Sequence, residues 1–119
     1  MIRYPSDIPI FHHIYSLYKT IHHHQTTIPK AIRYTLWLKC ETTTLDLLEA
    51  TISTGYKRGE DRLKVLHVMS MKLDMLKVFI RLAKETNALN HKHAILIQSQ
   101  LHDIGKMLGG WIRAVSPND

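Results

Sequence analysis

Apolar residues recur at intervals of three and four along most of this chain, the period of helices that bury one face. In the first such stretch Ile10, Ile14, Leu17 and Ile21 form a row, with Phe11 and Tyr18 beside it. His12, Lys19 and His23 fall on the opposite, wet side. The spacing predicts a helix over residues 8–24. Met1–Pro9 reads as a flexible, irregular arm, because Pro5 and Pro9 discourage helix before them, and Ser6 or Asp7 is placed to cap the first helix. Gln25–Pro29 reads as a turn that puts Pro29 at the first position of a second helix, predicted over 29–55. There Ile32, Leu36, Cys40, Leu47 and Thr51 make one row, and Trp37, Leu45, Leu48, Ile52 and Tyr56 make another. A bundle interior needs only one, so the second is expected to be buried against another subunit. Thr42, Thr43, Thr44 and Thr51 are poor helix formers, so packing has to hold this segment.

Tyr56–Asp61 is the next break, with Gly59 for the turn and Glu60 and Asp61 suited to the positive start of a helix. The third helix, predicted over 61–87, has the clearest period: Leu63, Leu66, Met69, Leu73, Leu76, Ile80 and Ala83. Lys77, Arg81 and Lys84 share another of its faces. Asn87 is suited to end it in the left-handed conformation, and Asn90 to cap the fourth helix, predicted over 90–112. In that helix Ala94, Ile97, Leu101, Ile104, Leu108 and Trp111 make the apolar seam, while Lys92, Ser99, Lys106 and Arg113 repeat by seven on another face. It also holds Gly105, Gly109 and Gly110. Each glycine costs a helix interior about 1 kcal/mol relative to alanine, so three need a reason. Gly105 and Gly109 lie on one side, where another helix or chain can approach closely; fraying at a helix end is the plain alternative. Ser116–Asp119 reads as a flexible tail. Four amphipathic helices joined by short turns predict an all-α, up-down-up-down antiparallel four-helix bundle in a single domain, 1–119.

Composition sharpens this picture. A formal charge of +6 on 119 residues suits a polyanionic partner, nucleic acid or an anionic surface. Cys40 is the only cysteine, which excludes an intrachain disulfide and fits a reducing cytoplasm. Its place between Leu36 and Leu47 at helical spacing makes it a core residue and not a nucleophile. No apolar run approaches the roughly 20 residues of a membrane span, and Pro5, Asp7, Pro9 and His12-His13 interrupt any signal-peptide stretch.

Candidate chemistry narrows further. Paired helical metal ligands want a spacing of three or four, and no two of the nine histidines have it. His102-Asp103 is the doublet of HD-type phosphohydrolases, but that chemistry needs more ligands than His67 and Asp74 supply. A histidine-based metal-dependent hydrolase is therefore the weakest reading. No catalytic residue, metal ligand or cofactor is assigned, and no enzyme activity is expected. The basic rows are the better lead. Lys77, Arg81 and Lys84, with Lys106 and Arg113, carry cations on long stems of the kind that contact phosphates. Arg33-Tyr34 and Lys57-Arg58 add to them, and Trp37 or Tyr34, if exposed, is suited to stack on a base.

Arg33-Tyr34-Thr35-Leu36, Arg81-Leu82-Ala83-Lys84 and Gly105-Lys106-Met107-Leu108-Gly109-Gly110-Trp111-Ile112 resemble the accessory variability determinants (Avd) of diversity-generating retroelements. More broadly they resemble the four-helix-bundle proteins encoded in ribosomal RNA intervening sequences. The likeness runs from about Pro29 to Arg113; the N-terminal arm and first helix match poorly. It implies a barrel-like homopentamer, positively charged and without catalytic activity, encoded by a bacterium or phage. Its implied partners are the retroelement's reverse transcriptase and template RNA, with cDNA as a further one, in mutagenic, adenine-directed cDNA synthesis. On this resemblance Arg33, Arg81, Lys84, Lys106 and Arg113 are expected to bind RNA or reverse transcriptase, and Lys77 joins them by shared face. Gly105, Gly109, Gly110 and Trp111, with Trp37, are expected to serve architecture or subunit contact. The alternative is an intervening-sequence-type bundle that binds nucleic acid without a polymerase partner.

Overall fold

The computed structural model describes residues 8–115. The expected caps Ser6 and Asp7, the start of the arm and the tail 116–119 lie outside the described residues. Among those described there are helices and no strands: α1 Pro9–His23, a 3-10 turn His24–Thr27, the short α2 Lys30–Arg33, α3 Leu36–Thr54, α4 Gly59–Glu85 and α5 His91–Ala114. The four long helices pack in a cycle, α1 on α3, α3 on α4, α4 on α5 and α5 on α1. Their directions alternate. The start of α1, the end of α3, the start of α4 and the end of α5 meet around one cleft lined by Ile8, Thr54, Arg62 and Trp111. At the opposite end Trp37 of α3 reaches Ile21 of α1, and His93 of α5 reaches His24. At about 1.5 Å per residue, the 27 residues of α4 cover roughly 40 Å, most of the 47 Å long axis.

The inward rows fill the interior. Ile10, Ile14, Leu17 and Ile21 of α1 meet Cys40 and Leu47 of α3, Leu66 through Ile80 of α4, and Ala94 through Leu108 of α5, all buried. The threonines of α3 are compatible with burial because their hydroxyls donate back to the helix, Thr44 to the Cys40 carbonyl at 2.7 Å and Thr51 to that of Leu47 at 2.8 Å. Both ends of the α4–α5 connection use asparagine. Asn87 has φ 62°, while its N–H donates to the Lys84 carbonyl and that of Ala88 to the Ala83 carbonyl, a Schellman ending. Asn90 Oδ1 then caps α5 by accepting from the His93 N–H at 2.8 Å. Gly59, with φ 52°, starts α4 two residues earlier than the charge pattern suggested.

The continuous helix expected over 29–55 is broken. Pro29 precedes α2 instead of entering it, and the chain leaves helical geometry at Tyr34 and Thr35. Thr35 bonds locally instead, its N–H donating to the Ile32 carbonyl at 3.1 Å and its hydroxyl to those of Ile32 and Ala31. Threonine at such a position offers the backbone an alternative to the helical ladder. Beyond the break Trp37 is wholly buried, and its indole N–H donates to the Ile21 carbonyl at 3.0 Å. The residue grouped by spacing with the outward row is thus an anchor of the interior. It offers no face to a base or to another subunit.

Candidate nucleic-acid interface

Lys77, Arg81 and Lys84 lie along the edge of α4 that faces α5. The Lys77 amine fixes this placement: it sits 3.4 Å from where a β-carbon on Gly105 of α5 would be. The α4 row therefore lines the groove between α4 and α5, while Lys106, about 100° further around α5 than Gly105, stands exposed on the outer face beside it. Arg113 lies two helical turns beyond Lys106, about 10 Å along the axis, and folds its guanidinium back over Gly109 and Gly110. Lys77 stands 4.0 Å from Asp74, and both are well exposed, so this pair neutralises little. Among the described residues no carboxylate lies within ion-pair distance of Arg81, Lys84, Lys106 or Arg113. The groove therefore presents unneutralised cations on long, solvent-reaching stems, suited to phosphate contact.

Arg33 is not part of this row. Its Nη2 donates to the Ile28 carbonyl at 3.2 Å and the Thr26 carbonyl at 3.4 Å, holding the connection from α1 to α2. That loop in turn forms one wall of a cleft of about 600 Å³, lined by Thr27, Pro29, Lys84, Asn87, His91 and His93. Arg33 therefore supports a neighbouring wall, while Lys84 links the cleft to the row. Tyr34 is 64% exposed and free to stack.

The glycines have room around them. No other backbone lies within 4 Å of a β-carbon built on Gly105, Gly109 or Gly110; the neighbours are Lys77, Leu73 and Arg113 side chains. Within the chain no second backbone approaches them closely: Gly105 lies against the Leu73 and Lys77 side chains of α4, and Gly109 and Gly110 meet only Arg113 of their own helix. Trp111 is half-buried against the core and lines the cleft at the α1 start.

The histidines behave differently from a metal site. Among the described residues no group of three or more His, Cys, Asp or Glu side chains is arranged to hold an ion. His22 pairs with Glu41 at 2.7 Å. His24 is buried, its Nδ1–H donates to the Thr20 carbonyl at 2.8 Å, and its ring lies 4.2 Å from that of His93. Sequence spacing could not reveal this pair, because it is made between the end of α1 and the start of α5. Desolvation, then the charges of His24, Lys92 and His23, hold the His93 imidazole below its ordinary pKa of 6.5. Cys40 is fully buried, and burial, with Glu41 beside it, pushes its thiol up to about 12, which leaves no thiolate for chemistry. His67, Asp74, His102 and Asp103 are all exposed on helix surfaces. No described helix is long and apolar enough to cross a membrane.

No curated protein matches the chain. The bAvd-like family model, in contrast, matches residues 10–115, from the first buried residue of α1 to the end of α5. With that span covering the bundle and its basic groove, the chain belongs to the bAvd-like family, the accessory variability determinants that its sequence resembles.

Proposed function

We propose that this chain is a non-enzymatic accessory subunit of a diversity-generating retroelement. In this reading it assembles into a barrel-like homopentamer, binds the reverse transcriptase and the template RNA, and supports mutagenic, adenine-directed cDNA synthesis. Family membership supports the accessory role. The observation that carries the nucleic-acid part is the edge of α4 along α5, where Lys77, lying against Gly105, is followed by Arg81 and Lys84 without bound carboxylates except at Asp74. A template RNA held there would be gripped by its phosphates and not read by sequence.

The test is co-purification of the chain with the reverse transcriptase and RNA of its own locus, with mass and stoichiometry from light scattering. A complex with several copies per polymerase is expected. The double variant Arg81→Glu/Lys84→Glu should keep its helicity and lose RNA affinity by at least about tenfold at moderate salt, with a shallower salt dependence. Undiminished RNA binding would remove the α4 row from the interface. RNA binding without any association with the polymerase would favour an intervening-sequence-type role.

A further inference from the structure

The first turn of α5 breaks a charge rule that α4 keeps. Helix starts carry partial positive charge and favour carboxylates. The start of α4 has Glu60 and Asp61. The start of α5 is His91-Lys92-His93, with no acidic residue in its first turn. Its backbone adds to the positive excess. The Asn90 side chain accepts from the His93 N–H and the Asn90 carbonyl from that of Ala94, while the N–H groups of His91 and Lys92 have no partner among the described residues.

His91 and His93 line the cleft of about 600 Å³ between the loop after α1, the end of α4 and the start of α5. Lys84, Asn87 and Asn90 line it with them, and no carboxylate does. The Asn90 amide oxygen is committed to the cap, so its nitrogen is left as a donor. Two carboxylates lie toward this end of the bundle. Glu41 is bonded to His22 at 2.7 Å, and Glu85 is exposed on the last turn of α4 and, among the described residues, pairs with no cation. The carbonyls that end α4 are occupied too: that of Leu82 by the Thr86 N–H, that of Ala83 by those of Ala88 and Leu89, and that of Lys84 by that of Asn87. His93 feels the same excess. Desolvation, then the charges of His24, Lys92 and His23, hold its imidazole below its ordinary pKa. The titratable groups around it are His23 and His24 from the end of α1, His91 and Lys92 from α5, and Lys84 from α4. All five are basic.

We infer that this cleft binds a terminal phosphate, the monoester dianion carried by a free nucleotide or by the 5′ end of a nucleic acid. Lys84 supplies a fixed charge, the start of α5 supplies free N–H groups and its dipole, and the two asparagine amides add directed donors. The cleft volume lies within the range of small-molecule sites and admits a nucleotide. A dianion beside His93 stabilises the imidazolium, so binding takes up a proton near neutral pH, and affinity rises as pH falls from 8 to 6.5. Below about pH 6 the phosphate itself gains a proton and the advantage fades. This site lies at the end of the bundle and recognises an end group, whereas the α4 row offers cations to phosphates along a strand. The two share only Lys84, and the cleft needs neither the polymerase nor the template.

The test is calorimetric titration of the full-length chain with ATP at pH 8 and 6.5, in about 150 mM salt to screen diffuse attraction. ATP should bind, about threefold more tightly at the lower pH. Lys84→Gln should weaken it about tenfold. His93→Asn should remove the tightening at low pH. Lys77→Gln takes the same charge from the same row two turns away and should leave the affinity unchanged. Circular dichroism checks that each variant is folded. Two oligonucleotides of one sequence, with and without a 5′ phosphate, then identify the source. Tighter binding of the phosphorylated strand assigns the cleft to a strand end; equal binding of the two, with ATP held as expected, assigns it to a free nucleotide. ATP that does not bind at about 5 mM would overturn the inference. Equal losses in Lys77→Gln and Lys84→Gln would overturn it too, leaving only the general attraction of a basic surface. So would low-pH tightening that persists in His93→Asn, because the proton would then be taken up elsewhere.

Discussion

Single residues decide how firmly the bundle closes and how freely its surface can change. Trp37 is the largest buried side chain, and it spends its one polar group on the Ile21 carbonyl, so its ring and its donor are both satisfied inside. Gly109 is the opposite case. Its backbone is helical, and a β-carbon there would meet only the Arg113 guanidinium at 3.5 Å, an ordinary contact with a side chain that can move. Gly109→Ala should therefore stabilise the isolated chain by about 1 kcal/mol, the helix-propensity difference, and raise the thermal midpoint by several degrees. Calorimetry on dilute protein measures this. A loss of stability that appears only at high concentration would show instead that another chain approaches this glycine closely.

At the scale of elements, the end of α1 and the start of α5 are joined through a basic contact. His24 and His93 lie ring to ring, His23 and Lys92 stand nearby, and Lys84 and His91 line the cleft beside them. The lowered His93 pKa means that the folded state resists a proton which the unfolded chain accepts near 6.5. Stability linked to this group is complete above that pH and is lost as pH falls through 6.5 toward the lower folded value. Thermal melts at pH 7.5 and 5.5 should show a drop for the wild type that is smaller in His93→Asn. An equal drop in both would assign the acid sensitivity elsewhere.

At the scale of the whole molecule, charge and exposed apolar surface are distributed on different sides. Cations line the α4–α5 groove, while the outward rows of α4 (Val68, Met71, Met75, Val78 and Leu82) and α3 (Leu38, Leu45 and Ile52) are apolar, and a monomer that left both rows wet would be an unusual soluble protein. Five associated copies would carry a formal charge of about +30, five times that of one chain, a strong field for RNA. Association of folded copies also stabilises them by mass action. The thermal midpoint should accordingly rise as wild-type protein is concentrated from about 1 to about 100 μM, and stay constant for Met75→Glu/Val78→Glu. A concentration-independent midpoint in the wild type would mean that something other than a second copy covers the rows.

The local pattern of the sequence was enough to determine the helical segments α1, α4 and α5 with their inward rows, and the asparagines that end α4 and start α5. Each depends on local geometry, a period of 3.6 or a cap within a few residues. The order of cations on α4 was legible for the same reason. What period cannot supply is the identity of the neighbour. Only the packed chain decided that Trp37 turns inward to Ile21, that Arg33 holds a loop instead of joining the basic row, and that the helix breaks at Thr35. The same holds for the His24–His93 pair and for the edge of α4 that meets α5. The α4 outer row was present in the sequence as a second three-four repeat at 68, 71, 75, 78 and 82. Its meaning came from the tertiary structure, because a row is an unfilled surface only once the bundle interior is known to be complete without it.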